Sequence, residues 1–171
     1  PYIRRDSPEV EDYNRYQTIY ARDPGSAAAP TAGLHFDKRV LRNLAEAGIE
    51  IVEVTLHVGL DTFRPITEPT IEEHRIHTEW FRVGSEAAER INRARDEGRK
   101  VVAVGTTSVR VLETSADETG RIRPGEGRTD LYLRPGYRFR AVDRLVTNFH
   151  LPRSTLILLV AAFIGSERWR R

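Results

Sequence analysis

Apolar and polar positions alternate along this chain in short blocks, and each change of period marks a new element. Residues 37–47 place Val40, Leu41 and Leu44 on one helical face, with Gly48 where the helix should stop. Residues 49–58 are β-branched and almost continuously apolar, broken by Glu50, Glu53, Thr55 and His57, which predicts a strand covered on both sides. Further strands are predicted at 74–83, 100–104, 129–133 and 145–149, and helices at 85–97, closed by Gly98, and at 107–115. Asp6-Ser7-Pro8-Glu9 reads as a helix start, giving a first helix over 6–21. Residues 23–33 and 120–127 carry too many Gly, Pro and small residues to be regular. Strands alternating with helices give an α/β fold class with mainly parallel strands, in one domain over 1–171. The last helix, 154–164, is apolar all round, so every face of it needs cover, part of it expected from residues outside this chain.

Composition narrows the possible chemistry. The chain has no cysteine, which excludes disulfides, thiolate metal sites and a cysteine nucleophile. Its net charge is only +2, yet Lys38 and Lys100 are the only lysines among 27 basic residues. Arginine's planar fork suits phosphate, though genomic base composition or a hot habitat produces the same bias. No apolar run approaches a membrane span, and Pro1-Tyr2-Ile3-Arg4-Arg5 leads into no signal-peptide core, which is the pattern of a soluble cytoplasmic protein. The chain also has no methionine. Either an initiator preceding Pro1 was removed or the sequence is part of a longer protein.

Reactive groups in α/β domains collect where strands end and loops begin. His57 lies near the end of the 49–58 strand, on the face of Thr55 and Glu53, and His150 directly follows the 145–149 strand. An unperturbed imidazole ionises near neutral pH, so histidines at these places suit proton transfer, or serve as core histidines that hold a loop. Val104-Gly105-Thr106-Thr107-Ser108-Val109-Arg110 runs from a strand through glycine into a hydroxyl-rich helix start. Such a start offers backbone N–H groups to an anion, or is simply capped by its threonines. His74 and His77 are three apart on a predicted strand and point to opposite faces, which disfavours a shared metal ion. No nucleophile elbow, zinc-protease helix or dinucleotide-binding glycine motif occurs.

Six ordered segments resemble one family, the S-adenosylmethionine:tRNA ribosyltransferase-isomerases of queuosine biosynthesis. They are Tyr13-Asn14-Arg15-Tyr16-Gln17-Thr18-Ile19-Tyr20-Ala21, Ala29-Pro30-Thr31-Ala32-Gly33-Leu34-His35-Phe36 and Thr55-Leu56-His57-Val58-Gly59-Leu60-Asp61-Thr62-Phe63-Arg64-Pro65. Glu73-His74-Arg75-Ile76-His77-Thr78-Glu79-Trp80, the 104–110 segment and Thr147-Asn148-Phe149-His150-Leu151-Pro152-Arg153-Ser154-Thr155 complete the series. Asp61 and Arg128 depart from the glycine and tryptophan common at those places.

The resemblance implies the C-terminal portion of a large α/β domain of distorted-barrel type, without the family's inserted small β-barrel domain or its N- and C-terminal segments. It implies a reaction in which S-adenosylmethionine is a ribosyl donor, not a cofactor, and 7-aminomethyl-7-deazaguanine at the tRNA wobble position is the acceptor. Epoxyqueuosine-tRNA results, and neither a metal nor a redox cofactor is needed. The partners implied are tRNA, the donor and the absent segments of the same enzyme. His35, His57 and His150 are the implied proton-transfer residues, expected to approach one cleft. Tyr16, Gln17, Thr31, Arg64, Thr106, Thr107, Ser108, Arg110 and Asn148 are the implied substrate-binding residues. A truncated, non-catalytic relic that keeps the fold and tRNA affinity, and an unrelated α/β enzyme acting on a small phosphorylated substrate, remain as alternatives.

Overall fold

A computed structural model describes residues 12, 15–59, 62 and 65–165. Half of the predicted 6–21 helix falls outside them; Asp12 and Arg15 are helical, whereas residues 16–21 are turns and irregular chain. A short 3-10 helix, Thr31–His35, comes first. The regular elements after it are α1 (Lys38–Glu46), β1 (Thr55–His57), β2 (Glu79–Val83), α2 (Ser85–Asp96), β3 (Val102–Val104), α3 (Thr106–Ser115), β4 (Gly125–Thr129), β5 (Arg144–Val146) and α4 (Thr155–Ile164).

Helix α3 is the hub. Seven of its ten residues are buried, with Val109 and Val111 fully enclosed, and it packs against strands of both sheets. Around it lie Val83, Ala88, Ile91, Ala103, Ile122, Leu133, Val142 and Leu159. Beyond that core, Glu113 of α3 accepts from the backbone N–H groups of Arg140, Ala141 and Val142 and from the Tyr137 hydroxyl. A buried carboxylate thereby satisfies a loop whose amides would otherwise have no partner. Tyr137, half-buried and facing this carboxylate, has its pKa pushed up to about 12, with desolvation the larger cause.

Helix predictions after residue 36 hold closely because their signals are local. Asp37 caps α1 by accepting from Val40 N–H at 2.7 Å, and Ser154 caps α4 through Ile157 N–H. Gly48 (φ +72°) and Gly98 (φ +73°) end α1 and α2 in the left-handed region open to glycine.

Strand predictions need correcting. Among the described residues the sheets are not mainly parallel: β1, β2 and β4 form an antiparallel sheet in the order β1-β2-β4, and only β3 and β5 pair in parallel. The small sheets close into no barrel among the described residues. The 49–58 run is regular only over Thr55–His57; Ile49 and Ile51 are exposed, while Val52 and Val54 pack against the core and Arg90 holds Glu50 and the Ile51 carbonyl. Residues 129–133 were expected to be a strand, but the ladder with β2 occupies Gly125–Thr129. Gly125 and Gly127 made that segment look like loop, whereas Gly125 pairs with Val83 and Gly127 with Phe81 in the ladder.

Helix α4 is only partly covered. Leu159 and Ala161 are buried, Ile164 is exposed, and the other apolar side chains lie between. No helix among the described residues is long and apolar enough to cross a membrane.

Candidate functional site

Strand β2 alternates, so Glu79 and Val83 turn inward while Arg82 faces out beside Trp80. Glu79 is thus a carboxylate in the core, 3% exposed. It is held by the N–H of Gly59 at 2.9 Å, by the Thr62 hydroxyl and by the Arg110 guanidinium. Arg110 reaches it from the first turns of α3 and also donates to the His77 carbonyl at 3.4 Å. Burial pulls the Arg110 pKa down, and the carboxylates of Glu79 and Asp130 oppose that shift. The pair lines a small cavity, about 20 Å³, together with Thr62, Thr106, Thr107, Tyr132 and Thr155. Ser108 is not part of this lining; its hydroxyl donates back to the Val104 carbonyl at 2.8 Å. No side chain caps α3, whose N-cap is Gly105 at φ +91°.

His57 occupies a different surface. Its register partner is Trp80, and the two rings stack at 4.7 Å between centroids. The loop 23–28 is fastened over the same strand end by Ala27 N–H to Val58 O, 2.8 Å, and Val58 N–H to the Ser26 hydroxyl, 3.1 Å. Gly25 thereby lies so close that a Cβ there would come within 2.7 Å of the imidazole. The Nε2 of His57 is buried and has no hydrogen-bond partner among the described residues.

A second, larger cavity of about 330 Å³ is lined by His35, Thr147, Asn148, Phe149 and Val160. His35 ends the 3-10 helix, while residues 147–149 follow β5 as irregular chain. His150 is tied to this lining: its Nε2 lies 3.0 Å from Thr147 Oγ1. Half-burial lowers the His150 pKa, by desolvation of the charged ring. Phe149 projects fully into solvent, at 104% exposure.

The fold therefore gathers His35, Asn148 and the Thr147–His150 pair at one cavity and Thr106, Thr107 and Arg110 at another, with α4 contributing to both. His57 lines neither of these cavities. Tyr16 and Gln17 are exposed, whereas Thr18 beside them is buried and Tyr20 packs its hydroxyl against Gly33. Thr31 is exposed at the first position of the 3-10 helix. Arg64 lies outside the described residues. His74, considered above with His77, pairs with Glu68 at 3.0 Å.

Sequence reasoning passed over Glu79, Thr62, Tyr132, Thr155 and Phe149. Glu79 carried a usable signal, a carboxylate on the same strand face as Phe81 and Val83, where a charge needs a buried partner. The others carry none, since their pairing is set by tertiary contact.

Comparison with known proteins extends this geometry. A family described as "Queuosine biosynthesis protein" matches residues 1–171. The chain is 55% identical to the S-adenosylmethionine:tRNA ribosyltransferase-isomerase of Desulfitobacterium hafniense, covering 98% of this chain and 48% of that one. It is 58% identical to the enzyme of the same name from Symbiobacterium thermophilum, again covering 98% and 48%. The chain thus spans about half the length of these relatives. The crystal structure of S-adenosylmethionine tRNA ribosyltransferase from Thermotoga maritima superposes with a TM-score of 0.61 at 41% identity, covering 81% of this chain and 44% of that one. With a family match along its whole length and high identity across nearly all of it, the chain belongs to the queuosine biosynthesis protein family.

Proposed function

We propose that this chain is the C-terminal half of a cytoplasmic enzyme that transfers and isomerises the ribosyl group of S-adenosylmethionine onto 7-aminomethyl-7-deazaguanine in tRNA, giving epoxyqueuosine-tRNA. The observation that carries the reading is identity of more than half across 98% of the chain to relatives bearing that name. On this reading the chain is a single partial domain. The rest of the enzyme continues the β3–β5 pair into a distorted barrel and covers Val102 and Val146, which are exposed here.

Such a reaction needs a base for the acidic hydrogen beside the sulfonium and a proton donor for departing adenine. His150 suits the base, since its lowered pKa leaves a neutral imidazole at physiological pH and Thr147 fixes the ring. His35, on the same cavity lining as Thr147, suits the donor, and Asn148 offers an amide to either substrate. His57 is proposed as a third proton-transfer group. Its unpartnered Nε2 and its wedged ring fit a side chain held ready for a ligand. Tyr16, Gln17, Thr31, Arg64, Thr106, Thr107, Ser108 and Arg110 complete the proposed substrate contacts. Beyond the donor, consumed as a substrate, the proposed chemistry calls for no metal or redox cofactor.

The test is turnover by the full-length protein carrying this chain. With S-adenosylmethionine and tRNA bearing the aminomethyl-deazaguanine base, mass spectrometry of the nucleosides should show epoxyqueuosine, with one adenine released per modified base. A methylated base, or no product while tRNA still binds, contradicts the proposal; the second result favours a non-catalytic relic.

A further inference from the structure

Helices α3 and α4 begin at the same small cavity: Thr106, the first residue of α3, and Thr155, the first residue of α4, both line it and are both more than nine-tenths buried. Three polar atoms on its lining residues are buried without a hydrogen-bond partner, namely Nε of Arg110, Oγ1 of Thr155 and the hydroxyl of Tyr132. Arg110 is itself 5% exposed and Thr155 6%. A buried donor left unsatisfied is destabilising, so three on the lining of one cavity are not neutral packing. All three can donate, and an oxygen acceptor satisfies them together.

Electrostatics select the kind of acceptor. The full charges of Arg110 and Glu79 compensate each other, and the Glu79 oxygens are already engaged by Gly59, Thr62 and Arg110. What remains is the field of two helix N-termini, each equivalent to about half a positive charge. One of them, α3, has no side-chain cap; on α4, Ser154 takes a single N–H. About one positive charge in sum is matched by a single anionic group. At about 20 Å³ the cavity admits one oxygen and not a whole phosphate.

We propose that the meeting point of the α3 and α4 N-termini is an oxyanion pocket that takes one oxygen of a ligand carboxylate, with Thr155, Tyr132 and the Nε of Arg110 as its donors. The assignment rests on the proposed donor, whose amino-acid end carries the carboxylate. It adds Thr155 and Tyr132 to the binding residues and gives the start of α4 a ligand-binding role.

The experiment uses the full-length protein with Thr155→Val and Tyr132→Phe, both nearly isosteric, and calorimetry with two probes. S-adenosylmethionine carries the carboxylate; 5′-methylthioadenosine lacks it. Each variant should weaken S-adenosylmethionine binding by roughly ten- to hundred-fold, the effect of one hydrogen bond to a charged group, and leave 5′-methylthioadenosine binding unchanged. Thr155→Ser, which keeps the hydroxyl, should restore the affinity. Unchanged binding of S-adenosylmethionine in both variants means the cavity holds an ordered water only and overturns the proposal. So does an equal loss for both probes, which marks a structural effect. If the unsubstituted protein binds neither probe, the donor reading itself fails and takes this assignment with it.

Discussion

The cavity at the start of α3 and the cavity beside His35 share a wall, α4, yet they are built in opposite ways. The first is walled largely by regular elements, and its charges are buried and matched within the protein, Glu79 from β2 against Arg110 from α3. The second is formed largely by irregular chain after β5, with His35 at the end of a 3-10 helix, and it leaves Phe149 in solvent. A buried ion pair is costly to break because the partner left behind stays charged in a poorly solvated place. An exposed loop side chain leaves nothing behind when removed. The two cavities should therefore answer mutation differently, the first through stability and donor binding and the second through chemistry.

The largest expected effect is on the enclosed side. Arg110→Ala leaves Glu79 buried without its counter-charge, held only by the Gly59 N–H and the Thr62 hydroxyl, and should destabilise the full-length protein by about 3–5 kcal/mol, read as a lowered urea midpoint with an unchanged slope. A loss below about 1 kcal/mol would break the comparison, since it would mean that water reaches Glu79 and the pair behaves as a surface one. The smallest effect belongs to the open side. Phe149→Ser should change stability by no more than about 0.5 kcal/mol, the range of surface substitutions away from special features, measured in the same titration. A marked loss there would show that Phe149 is a packing residue covered in the full-length protein.

These two regions also differ in how far the sequence discloses them. The helices could be read directly, because caps such as Asp37 and Ser154 and stops such as Gly48 act within a few residues. The histidines and the Gly105 helix start could be picked out because reactive residues at strand ends are recognisable by position. Pairing was not legible. Gly125-Glu126-Gly127-Arg128-Thr129 carries no strand signal of its own and becomes β4 only because β2 lies alongside. Arg110 was legible only as part of the helix-start segment and as an implied substrate contact, and what settled its main contact was Glu79, 31 residues away. The matching of a buried charge is a long-range fact, and no local window contains both partners.

The central claim is that the open cavity does chemistry while the enclosed one supports it, and His150 tests it most directly. In the full-length protein, His150→Asn should lower turnover by roughly 10²–10⁴-fold, the usual contribution of general acid–base catalysis, with the urea midpoint unchanged. Burial disfavours the charged ring, so the folded pKa lies below the ordinary histidine value of 6.5. The neutral, proton-accepting form then persists below that pH, and the acid limb of the unsubstituted enzyme's pH profile should have its midpoint below 6.5 and vanish in the variant. Turnover that survives His150→Asn, or that falls only in proportion to a loss of folded protein, would contradict the account.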